Sequence, residues 1–110
     1  MPLLCWDWPR SGRVCQDFAT LTLPESAAAQ TEQAIDTIER ALVQADASLM
    51  DVVRVRVFVP AREDVAAVSG VIKQRLGPAR PTNTTVCSSL AVDGAKVEVE
   101  VTARRVIHPS

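Results

Sequence analysis

Tyrosine is absent from this chain, histidine occurs once, and no two of the three cysteines form a C-x-x-C pair. Cys5, Cys15 and Cys87 are odd in number and far apart, which argues against a zinc site and against a disulfide framework. The lone histidine, His108, stands two residues from the end before Pro109, a poor place for a general base. Cys87 therefore has no imidazole near it in sequence to activate it, and it is expected to be a buried structural thiol. No apolar run approaches the roughly 18 residues a membrane helix needs. Asp7 and Pro9 interrupt the N-terminal stretch MPLLCWDWPR, so a secretory signal is not expected there. Net charge is −1, with no basic patch, which disfavours nucleic acid as a partner. A reduced, cytoplasmic protein is the simplest expectation. Repeats, low-complexity tracts and linkers are also missing.

What is present is a chain of 110 residues, 47% apolar, in keeping with one domain spanning 1–110. Residues 13–23, RVCQDFATLTL, carry enough β-branched and apolar side chains for a strand that Pro24 ends. From about 25 to 45 the spacing becomes helical, with Ile35, Ile38, Leu42 and Ala45 on one stripe. Asp46 tolerates a left-handed turn and is expected to end that helix. SLMD (48–51) has the form of a capping box but is expected to make one short turn. DVVRVRVFV (51–59) alternates as a strand, with Val53, Val55, Val57 and Val59 on one face and Arg54 and Arg56 on the other.

After Pro60, Val65, Val68, Ile72 and Leu76 form a second helical stripe, stopped by Gly77-Pro78. Thr84–Leu90 reads as a strand. Beyond the Asp93-Gly94 turn, residues 96–106 alternate again, placing Val97, Val99, Val101 and Ala103 opposite Glu98, Glu100 and Thr102. The order is one or more strands, helix, strand, helix, strand, strand: an α+β domain with two helices on one face of a mixed sheet. The helices cover the valine rows. The other face carries Arg54, Arg56, Glu98 and Glu100, and it must meet water or another subunit.

The Q-x-x-Q-A-I-D-x-I helix beginning at Gln30, the D-V-V-R-V-R-V-F-V strand, Pro81–Val86 and the V-E-V-E-V-T-A ending together resemble the RidA (YjgF) family of reactive-intermediate deaminases. The resemblance implies a chorismate-mutase-like fold and a homotrimer whose sheets form a barrel. It also implies three small-metabolite clefts between subunits. Active members hydrolyse a 2-iminobutanoate- or 2-iminopropanoate-type enamine or imine to a ketoacid and ammonia, without metal or organic cofactor.

In that family an arginine grips the substrate carboxylate, work suited to a planar bidentate donor. Counting back from Glu98 without gaps places this position at Asn83, within Pro81-Thr82-Asn83. The literal Pro78-Ala79-Arg80 would need a shift of three residues, so Arg80 is assigned to the loop and Asn83 to the clamp position. Thr84 and Thr85 adjoin it as hydrogen-bonding groups. The place of the family's Ser-Gly pair in the early strand reads Phe18-Ala19 or Ala19-Thr20. Glu98 matches the carboxylate that orients the attacking water; its alternative role is a cross-strand ion pair with Arg54 or Arg56. Asn83 and Thr84 are equally suited to a turn and a strand start. Trp6 and Trp8 fit either a packing role or a cleft lining.

With an amide at the clamp position, weak deaminase activity is expected, on a ligand less acidic than an amino-acid-derived enamine. A non-catalytic ligand-binding or regulatory trimer is the alternative. Endoribonuclease or translation-inhibitor activity, which the family's L-PSP name suggests, fits the charge and the lone histidine poorly.

Overall fold

Ser26 starts the first helix, its hydroxyl accepting the Ala29 amide at 3.0 Å. In the computed structural model, which describes residues 3–7, 11–15 and 24–104, this helix (α1) runs Ala27–Gln44. Ala34, Ile35, Ile38, Ala41 and Leu42 are buried along it, while Ala45 is only half-buried and caps the end. The chain then leaves through Asp46 at φ 61°. Ala47 N–H bonds the Leu42 carbonyl at 2.8 Å and Asp46 N–H that of Val43 at 3.0 Å. These two bonds form a Schellman closure with an aspartate in the usual glycine position. Ser48 and Asp51 then brace a single 3₁₀ turn, Ser48 N–H donating to Asp51 Oδ2 at 2.9 Å.

Among the described residues the sheet has five strands in the order β1-β2-β5-β3-β4: β1 is Leu3–Asp7, β2 Ser11–Cys15, β3 Val52–Val59, β4 Thr82–Cys87 and β5 Glu98–Arg104. Of these described strand pairs, only β3–β4 is parallel. That pairing needs a crossover, which the second helix (α2, Val65–Leu76) provides. The β1 strand is an addition to the sequence-based expectation. β2 begins at Ser11 rather than residue 13, and the part of that predicted strand beyond Cys15 lies outside the described residues.

One predicted face is corrected. In the β3–β5 register Val52 pairs with Ala103 and Arg54 with Thr102, so β3 spends one more residue than β5. Val53 is the bulged residue and is 48% exposed, whereas Val52 is buried. The bulge resets the alternation, so the buried row is Val52, Val55, Val57 and Val59. On β5 the expected row holds: Val97, Val99, Val101 and Ala103 are all buried. The predicted strand at 84–90 is displaced to 82–87, because the last β3 carbonyl to bond it, that of Val59, reaches Ser88 N–H.

Both helices pack on this valine face, with Val68, Val71, Ile72 and Leu76 of α2 buried beside α1. Arg75 of α2 ties the helices together through Glu32 and Asp36 of α1, each at 2.9 Å. Partial burial pulls the Arg75 pKa down, but the hydrogen bonds to Glu32 and then Asp36 outweigh it and leave it raised. Arg75 is therefore charged throughout the working pH range.

Candidate functional site

β4 lies at an edge of the sheet, and all six of its residues are exposed. Its parallel register puts Asn83 beside Val55, Thr85 beside Val57 and Cys87 beside Val59, on the helix side. Thr82, Thr84 and Val86 adjoin Arg54, Arg56 and Phe58 on the far side. Thr82 Oγ1 donates to the carbonyl of the bulged Val53 at 3.3 Å, so the bulge and the edge strand support each other. The helices do not reach over β4. Cys87 is consequently an exposed free thiol, not the buried one expected.

Between α2 and this uncovered edge lies an open concavity of about 400 Å³. Ile72, Leu76 and Pro81 give it an apolar lining, and Ser69, Lys73, Arg80 and Asn83 supply its polar groups. Asn83 Oδ1 accepts the Thr85 hydroxyl at 3.2 Å, which leaves the amide NH₂ as a donor. Arg80 ends a 3₁₀ turn over Gly77–Ala79 in the left-handed conformation, φ 54° and ψ 49°, its N–H bonded to the Gly77 carbonyl at 3.0 Å. Arg80 is thus a loop residue, as expected, yet it shares this concavity with Asn83.

Glu98 stands elsewhere. It pairs in register with Phe58, on the face away from the helices, and β3 separates its strand from β4. The expected cross-strand ion pair forms one register step away instead, between Arg56 Nη1 and Glu100 Oε1 at 3.8 Å. Arg56 also lies over the Phe58 ring, 5.5 Å from its centroid. Among the described residues Glu98 has no ion pair. Thr84 is on the Glu98 side and Thr85 on the Asn83 side. Phe18, Ala19 and Trp8 lie outside the described residues, and Trp6 is in β1 opposite Gly12.

Sequence reading missed Ser69 and Lys73. Their four-residue spacing on α2, flanking the Ile72–Leu76 stripe, was the available signal.

Fold and site together define an α+β domain with a charged outer sheet face and a cationic concavity at a bare parallel edge. The chain belongs to the family described as Endoribonuclease L-PSP, the YjgF/RidA family, whose family model matches residues 10–105. It is 32% identical over 84 residues to the protein mmf2 of Schizosaccharomyces pombe, a stretch covering 74% of this chain and 67% of that one. A solved member of the YjgF/YER057c/UK114 family from Mycobacterium tuberculosis is 29% identical, with TM-score 0.73 over 94% of this chain and 99% of its own. The E. coli YjgF product shares the fold at TM-score 0.79 and 23% identity, covering 91% of this chain and 84% of that chain. The fission-yeast relative is mitochondrial by name, and no described helix here is long and apolar enough to cross a membrane.

Proposed function

We propose that this chain binds a small metabolite in clefts formed between copies of itself and is a weak, cofactor-free enamine/imine deaminase. The observation that carries the reading is that Asn83 and Glu98 lie on opposite faces of the sheet, with β3 between their strands. One chain cannot bring both to one small ligand. A second chain seated against the bare β4 edge could present its own Glu98 face to the Asn83 concavity.

In such a cleft the imine carbon takes the attack of a water oriented by Glu98. The carboxylate accepts the water's proton and returns it to the nitrogen, giving a carbinolamine; it then takes the carbinolamine hydroxyl proton and passes it to the nitrogen as the C–N bond breaks, so that ammonia leaves and the carbonyl of the ketoacid remains. Arg56 is engaged by Glu100, and among the described residues Glu98 is in no ion pair. The weakness follows from Asn83. An amide cannot give a carboxylate the charge-assisted fork of a guanidinium, a deficit of about 1.5–3 kcal/mol.

A lyase that releases the enamine from serine or threonine, coupled to ketoacid detection, tests this. Asn83→Arg is expected to raise the rate by roughly one to two orders of magnitude over wild type. A fully active wild type with no gain from Asn83→Arg overturns the reading. An inert wild type that Asn83→Arg fails to awaken favours a binding role without turnover.

A further inference from the structure

We propose that the outer face of the sheet carries a site for a small multivalent oxyanion, built from Arg54 and Arg104 and completed when three copies close around one axis. The proposal rests on the trimeric reading, and it concerns the face opposite the Asn83 concavity.

Charge is sorted along this face. Arg54 pairs in register with Thr102 on one side and Thr82 on the other, and Arg13 holds the β2 place opposite Thr102. Arg104 lies two residues beyond Thr102, opposite Ser11, which makes it a diagonal neighbour of Arg54 at about 7–8 Å. No carboxylate occupies either rung. Glu100 and Glu98 stand two and four residues back along β5, and Glu100 is already engaged by Arg56 at 3.8 Å. Arg54 and Arg104 are both exposed, and among the described residues neither makes an ion pair or a side-chain hydrogen bond. The Thr102 hydroxyl beside them has no partner among the described residues either.

Rotational symmetry turns this sorting into a need for an anion. A threefold axis keeps each residue at its own height, so the copies of Arg54 and Arg104 form a ring of like charge. Glu98 lies about 13 Å away along the strands. That exceeds the ~8 Å over which exposed charges act at physiological salt. The ring is thus left without internal compensation. Guanidinium groups hold oxyanions through two parallel bonds, and two arginines from each copy outnumber a single negative charge. A compact anion with several charges fits the ring; a monocarboxylate does not.

Isothermal titration with pyrophosphate, against acetate at matched ionic strength, tests this on wild type, Arg54→Gln, Arg104→Gln and Lys73→Gln. Wild type is expected to take up one pyrophosphate per three chains, with acetate at least about tenfold weaker. Arg54→Gln and Arg104→Gln are each expected to weaken pyrophosphate about tenfold, and Lys73→Gln to leave its affinity unchanged. In buffer without multivalent anions Arg54→Gln is expected to hold or raise the Tm, because it removes self-repulsion. A lowered Tm there would mean that Arg54 pairs with a carboxylate of a neighbouring copy, and it overturns the proposal. So does one pyrophosphate per chain, equal affinity for acetate, or binding lost in Lys73→Gln and kept in Arg54→Gln. Sedimentation separates the two readings: a trimer that takes up no pyrophosphate removes this site alone, whereas a monomer removes the shared cleft with it.

Discussion

Gln30 shows how one side chain can join distant parts of this chain. It is 2% exposed, and its amide nitrogen donates to the carbonyls of Pro24 at 2.7 Å and Gly94 at 3.0 Å. Its oxygen accepts the Lys96 amide at 2.7 Å. The Lys96 ammonium adds a bond to the Glu25 carbonyl. One glutamine thus pins the entry to α1 against the turn that launches β5. Gln30→Leu would bury its backbone partners without replacement bonds, each worth about 1–3 kcal/mol. We expect a loss of about 2–4 kcal/mol, a Tm lower by roughly 8–20 °C in calorimetry. A shift of only about a degree would show that water replaces the amide. Nothing in the local pattern distinguishes Gln30 from a solvated glutamine, because its partners are a proline carbonyl six residues back and a turn more than sixty residues ahead. Asp46 was legible, since the left-handed turn is a property of the residue itself.

At the scale of elements, β3 was legible as a strand and, for Val55, Val57 and Val59, as a buried face; Val53 was misread. Val53 and Val57 are both valines in an alternating run, but the bulge puts Val53 in water and leaves Val57 buried. Val57→Asp is expected to abolish soluble folding, since an unpaired buried carboxylate costs several kcal/mol of a small domain's stability. Val53→Asp is expected to stay within about 0.5 kcal/mol of wild type. Chemical denaturation of the two variants reads this directly, and equal damage at both positions would restore the straight strand. A bulge arises from pairing between two strands, and β3 alone carries no mark of it. The exposure of Cys87 is of the same kind: a central strand would bury it, and edge placement leaves it bare.

For the whole molecule, the bare edge and the charged outer face raise the question of assembly. Six exposed residues in an unpaired edge strand, with Val86 42% exposed, are a ready template for another chain. On the outer face Phe58, Arg56 and Glu100 are only half-covered. A homotrimer closing these faces into a barrel is the assembly we expect, and sedimentation should give about three times the 11.9 kDa chain mass. A monomer at all concentrations would refute both the barrel and the shared cleft.

Taken alone, the amino-acid sequence determined the two helices, the strands β3 and β5, the valine row of β5 and the family, because periodicity, turn residues and motif spacing are local. The tertiary structure decided the rest. Strand β3 lies between Asn83 and Glu98 and sends them to opposite faces, although a gap-free count joins them to one motif. Folding also gathers Ser69 and Lys73 from α2 with Arg80 and Asn83 into one concavity. Which side chains share a site depends on strand neighbours and on which edge remains uncovered, and those relations exist only once the sheet has assembled.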